Sequence, residues 1–170
     1  ARGDPSRLTA PAHNGRERPA GAGHAADFRT EATMSDRLRK VDYFYAMLPN
    51  TAGQGAKVMA GLAAAGVNLL AFSGFPAGRR AQLDLVPEDS AKLKRAAKKL
   101  GLKLSAKKTG FLVTGDDRVG ALTGILAALA AAKINVTAVD AVSGGKGRYG
   151  AIFWVKPQAV ARAAKLLGAK

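Results

Sequence analysis

From Val41 onward the apolar positions switch between two periods. Residues 41–47, VDYFYAM, are β-branched and aromatic and predict a strand, followed by the turn signal LPNTAG. Val58, Met59 and Leu62 then mark one face of a helix that stops near Gly66. VNLLAFS and RAQLDLV read as two further strands joined by the Pro/Gly hairpin GFPAGR. PEDSAKLKRAAKKLG predicts a second helix that opens at Pro87, closes at Gly101 and turns Leu93, Ala96, Ala97 and Leu100 inward. LKLSAKK alternates as a fourth strand. The order β-α-β-β-α-β is that of the ferredoxin-like split βαβ arrangement, an α+β fold.

The pattern then repeats. GFLVTG is a first strand, and Leu122, Ile125, Leu126 and Leu129 form the inward face of a helix. INVTAVDAV and YGAIFWV are the next strands, separated by SGGKGR, and PQAVARAAKLLG is the second helix. An offset of 67 lays Gly53 on Gly120, Leu62 on Leu129, Ala63 to Ala65 on Ala130 to Ala132, and Asn68 on Asn135. Pro87 and Pro157 open the corresponding second helices. This is an internal duplication. It predicts two tandem ferredoxin-like modules, residues 41–108 and 109–170, the second lacking its last strand because only Ala169 and Lys170 follow Gly168.

Composition removes several classes of function. The chain has 170 residues, 48% of them hydrophobic, enough for two small cores. It has no cysteine, and both histidines, His13 and His24, precede the periodic region. A disulfide scaffold, a thiol nucleophile, a His-based triad and a metal site are therefore not expected. No apolar run reaches the length of about 20 residues that a spanning helix needs, so a soluble, cytoplasmic protein is expected. Residues 1–33 are mostly Ala, Gly, Arg and Pro and are expected to be a disordered or artefactual extension, with Met34 reading as a natural start.

DRVGALTGILAALAAAKINVTAVDAV resembles the ACT domain, a small amino-acid-sensing regulatory module, and NTAGQGAKVMAGLAAAGVNLLAFSG resembles a more divergent copy with Asn50 for the acid and Gly55 where the family usually has Leu. The resemblance implies a free-standing regulatory protein that binds a small ligand, an amino acid, between one module's turn and a neighbouring module's strand. Ligand contacts are then implied at Asn50, Gly53, Asn68, Asp117, Arg118, Val119, Gly120 and Asn135, with no cofactor.

The residue chemistry is compatible with that seat. A glycine turn entering a helix presents unpaired N–H groups and the positive end of the helix dipole to a carboxylate. Asp117 can take an ammonium, and Asn135 can donate and accept. The same turns also have a purely local reading: Asn50, Thr51, Asp116 and Asp117 are good helix N-caps, and Asn68 and Asn135 can satisfy nearby backbone.

Charge supports an alternative. From Met34 the chain carries 22 Lys and Arg against eight Asp and Glu, and Lys92, Lys94, Arg95, Lys98, Lys99, Lys103, Lys107 and Lys108 crowd one helix and strand. A nucleic-acid or acidic-partner binding module is the alternative function, against a merely solvated basic face. Tyr149 and Phe153 share one strand face and Trp154 the other. No enzyme is expected: the dinucleotide and P-loop glycine patterns are absent, and the carboxylates are scattered. Finally, the missing last strand leaves the edge of GFLVTG bare, which predicts either a homodimer or an intramolecular cover. The dimer is the expected outcome.

Overall fold

The computed structural model describes residues 36–170, so the expectations for residues 1–33 lie outside the described residues. Six strands, β1 (Arg37–Pro49), β2 (Leu69–Ala77), β3 (Arg80–Pro87), β4 (Lys108–Asp116), β5 (Val136–Gly145) and β6 (Arg148–Val155), form one antiparallel sheet in the order β2-β3-β1-β4-β6-β5. Helices α1 (Gln54–Ala64) and α2 (Ser90–Lys99) follow β1 and β3, and α3 (Thr123–Ala131) and α4 (Val160–Leu167) follow β4 and β6.

Alternation along the strands sends two sets of side chains to the helical face. Phe44, Leu48, Leu83 and Leu85 meet Leu62, Leu93 and Ala96 in one core. Phe111, Val113, Tyr149, Ala151, Phe153 and Val155 meet Ile125, Leu129, Ala163 and Ala164 in the other. The opposite face gathers Val41, Val86, Ile152 and Trp154, with Tyr43 and Leu112 against them. Tyr149 and Phe153 thus face the helices and Trp154 faces away, as strand alternation requires.

The strand order is a palindrome of the repeat. Asp42 pairs with Thr109, its own counterpart at the offset of 67, so the β1–β4 ladder crosses a local two-fold at that pair. At the ends of the sheet, Ser73 Oγ on β2 donates to Asp140 Oδ2 on β5 at 2.6 Å, a pair 67 positions apart. Strands at opposite ends of the order can meet only if the sheet curls, with the helices on its outer side.

Two expectations change here. LKLSAKK does not run as a strand: Leu104 makes one isolated bridge with Ala46, and the Ser105 hydroxyl takes the N–H of Tyr45 at 3.0 Å, so the ladder ends there. The edge of GFLVTG is not bare. β1 begins at Arg37, earlier than its apolar pattern indicates, and Arg37 to Tyr43 pair along β4, with Leu38 opposite Val113. The cover is therefore intramolecular, from the first strand rather than the fourth, and the bare-edge reason for a dimer falls away.

Candidate functional site

The turn from Asp116 to Leu122 is held by polar contacts on both sides. Asp116 pairs with Arg148 across the β4–β6 ladder. Asp117 N donates to Gly147 O at 2.8 Å, and Asp117 Oδ2 accepts from Ser143 Oγ at 2.6 Å, which fastens the turn to the β5–β6 hairpin. Arg118 turns outward to Asp36, its Nη2 standing 3.2 Å from Oδ2. Asp36 can lie there because residue 115 is glycine: a Cβ at Gly115 would fall 1.8 Å from Asp36 Oδ1.

Gly120 has φ +74°, in the left-handed region, and this bend delivers the chain into α3. No side chain caps α3, and none caps α1, which starts from Gly53 at φ +85°. The capping role weighed for Asn50, Thr51, Asp116 and Asp117 is therefore not what these residues do: Asp116 and Asp117 bond to the hairpin instead. Among the described residues, Asp89 is the side-chain cap, accepting from Ala91 N and Lys92 N at the start of α2. Those two hydrogen bonds, Lys92 N first, hold its carboxyl below the usual range.

Between this turn, the first turn of α3 and the C-terminal half of β5 lies an open cavity of about 310 Å³. Asp117, Gly120, Thr123, Ser143 and Tyr149 supply its polar lining, and Ala121, Leu122, Leu126, Ala141 and Val142 its apolar wall. Tyr149 is 7% exposed, and its buried hydroxyl has no partner in hydrogen-bonding geometry. Burial, then the nearby Asp36 charge, raises its pKa, so the phenol stays protonated and can donate.

Of the residues named from sequence, Asp117 and Gly120 share this cavity. Asn135 lines an adjoining hollow of about 380 Å³ with Leu126, Lys133 and Ile134. Arg118 and Val119 point away, Val119 being fully exposed at the tip of the turn. Asn50 and Gly53 occupy the equivalent exposed turn before α1. Asn68 donates through Nδ2 to Glu88 Oε2 at 3.1 Å, while its backbone carbonyl accepts from Glu88 N. Thr123 and Ser143 are not singled out from sequence, and Tyr149 is named there only as a strand-face aromatic, not as a ligand contact. They come from a helix and a hairpin that only the fold brings to Asp117, and their one signal is the polar interruption of otherwise apolar segments.

No family model matches the sequence, and no curated protein matches it either. Solved structures do match. Protein BT0572 from Bacteroides thetaiotaomicron superposes with a TM-score of 0.66 at 17% identity, covering 77% of this chain and 88% of that one. The regulatory subunit of aspartate kinase from Thermus thermophilus gives 0.56 at 16% identity, over 81% of this chain and 97% of that one. Its counterpart from Thermus flavus gives 0.50 at 15%, over 79% and 95%. The fold is ACT-like. Among the described residues no helix is long and apolar enough to cross a membrane, and no cluster of His, Asp or Glu could hold a metal.

Proposed function

We propose that the chain is a regulatory protein of two ACT-like modules, residues 41–108 and 109–170, that binds an amino acid in the cavity beside Asp117 and Gly120. It binds rather than catalyses, needs no cofactor, and works in the cytoplasm as a homodimer. The observation that carries this reading is the lining of the cavity. Asp117 offers a carboxylate to the ligand ammonium, and the uncapped start of α3 beside Gly120 offers N–H groups to its carboxylate. Leu122, Leu126 and Val142 offer an apolar wall to its side chain, and the buried Tyr149 hydroxyl, beside Asp36, is a further polar group of the lining.

The first turn is a poorer seat. The counterpart of Asp117 is Asn50, and the counterpart of Ser143 is Pro76, which has no hydroxyl to orient it. The fold relationship to the Thermus aspartate kinase regulatory subunits supports a regulatory role. Ligand shifts the association of modules only by its differential affinity for the two arrangements.

The test is a thermal-shift screen of the proteinogenic amino acids. At least one ligand should stabilise the parent, by about 2.7 kcal/mol at roughly a hundredfold excess over Kd. Gly120→Val should lose the response, because a Cβ there lies 3.1 Å from Thr123 Oγ1 and the backbone is left-handed. Gly53→Val carries the same backbone strain with nothing within 4 Å, and should keep the response. A parent silent to every amino acid, or equal loss in both variants, rejects the seat.

A further inference from the structure

The charges of this chain are sorted by element. Helices α1 to α4 contain Lys57, Lys92, Lys94, Arg95, Lys98, Lys99, Arg162 and Lys165 and no acid at all. The acidic residues of the described chain lie on strands, in turns or at the α2 cap. The outer, helical layer is thus basic, and the bias is greatest at α2, where five of ten residues are Lys or Arg.

The packing of α2 directs those charges outward. Leu93, Ala96 and Ala97 fill its inner stripe. Lys94 Nζ lies 5.4 Å from the Phe44 ring centroid, and Lys92 reaches toward Gly66 at the end of α1. Arg95, Lys98 and Lys99 remain on the solvent side, followed by Lys103, and none of the ion pairs among the described residues includes them. Residues three and four apart are neighbours on a helix, so Arg95 repels both Lys98 and Lys99. At 1.5 Å rise per residue these cations form a row over about 6 Å of helix, extended by Lys103. Such a row is matched by a polymer of regularly spaced anions, which relieves the repulsion at several points at once.

We propose that the α2 face docks the phosphodiester backbone of nucleic acid, independently of base sequence. A membrane surface fits less well. Insertion requires an apolar flank beside the cations. The exposed apolar side chain at this end of α2 is Leu100, and it is seated against Gly61 of α1. Contacts to phosphate position a protein without reading bases. The surface is separate from the Asp117 cavity, so the two can succeed or fail independently.

The experiment is fluorescence anisotropy of the full chain with a short duplex DNA and a single-stranded RNA of equal length. With about four phosphates neutralised, log K should fall against log salt with a slope of about −3.6 for the duplex, roughly a 150-fold loss between about 50 and 200 mM. Arg95→Glu with Lys98→Glu and Lys99→Glu should reduce that slope by about three. Lys57→Glu with Lys156→Glu and Lys165→Glu changes net charge equally on other surfaces and should retain most of the affinity. Both triple variants are checked for the parental melting midpoint. Binding of only DNA or only RNA identifies the source and supports the proposal. No binding of either at low salt overturns it. So does equal loss in the two triples, or tighter binding to phosphatidylserine vesicles than to nucleic acid.

Discussion

Asp84 and Trp154 occupy corresponding positions on β3 and β6, and both point to the face that the curl encloses. Trp154 fits because residue 110 is glycine: a Cβ there would lie 3.0 Å from Trp154 Nε1. The counterpart of Gly110 is Tyr43, whose ring meets Trp154 edge-on at 5.6 Å. Asp84 is 8% exposed. Burial raises its pKa, the charge of Asp140 adds to the rise, and the hydrogen bond from Gln82 and the Lys108 charge oppose it. A carboxyl whose native pKa is raised binds its proton more tightly folded than unfolded. Stability is therefore lost as pH rises from the ordinary aspartate pKa, about 3.9, through the native value. Asp84→Asn keeps a group for Gln82 and cannot ionise. Its urea midpoint should exceed that of the parent by a margin that grows with pH across that window, and a constant margin would contradict the assignment.

At the level of elements, the four helices end in the same way. In each, two N–H groups just past the helix turn back to carbonyls of the last turn: Val67 to Leu62, Leu102 to Ala97, Ile134 to Leu129 and Ala169 to Ala164 make the longer bond. The left-handed residue this requires is Gly66, Gly101 and Gly168 in three of them, and Lys133, at φ 54°, in the fourth. A side chain costs about 1–2 kcal/mol in that conformation. Lys133→Gly should therefore raise stability by about 0.5–1 kcal/mol after the greater unfolded-state freedom of glycine is subtracted, read as a rise in the urea midpoint with unchanged slope. Helix periods, stops and most strands were legible because they depend on near neighbours. The N-terminal extension of β1 was not: Arg37, Arg39 and Lys40 interrupt its apolar pattern, and only pairing with β4 makes them a strand. LKLSAKK has the alternation of a strand, yet Ser105 spends the Tyr45 N–H on its own hydroxyl and pairing stops. In the same way Asp117 and Gly120 could be named from their local pattern, whereas Ser143 and Tyr149 arrive from a hairpin more than 20 residues away.

For the whole molecule, the two-fold through Asp42 and Thr109 explains why the internal edge needs no partner chain and where a partner would sit. The β1–β4 ladder consumes the two inner edges, and Lys40 N adds a bond to Lys170 O at 2.9 Å. The outer edges are β2 and β5, and there the repeat has kept exposed apolar residues at equivalent positions: Phe72 with Val139, and Phe75 with Val142. The Ser73–Asp140 hydrogen bond joins the two edge strands at the residues next to Phe72 and Val139. Apolar side chains held exposed on both copies suit an isologous contact, in which each surface meets itself across a two-fold axis. Light scattering of the full chain should then give twice the monomer mass of 17.5 kDa. Phe75→Asp with Val142→Asp should give a folded monomer. Lys40→Pro instead removes the N–H that donates to Lys170 O, at the cost of that bond, and should lower the unfolding midpoint by about 1–3 kcal/mol equivalent while leaving the association surface in place. A monomeric parent at high concentration would reject the dimer. A dimer untouched by Phe75→Asp with Val142→Asp would move its interface away from the outer edges β2 and β5.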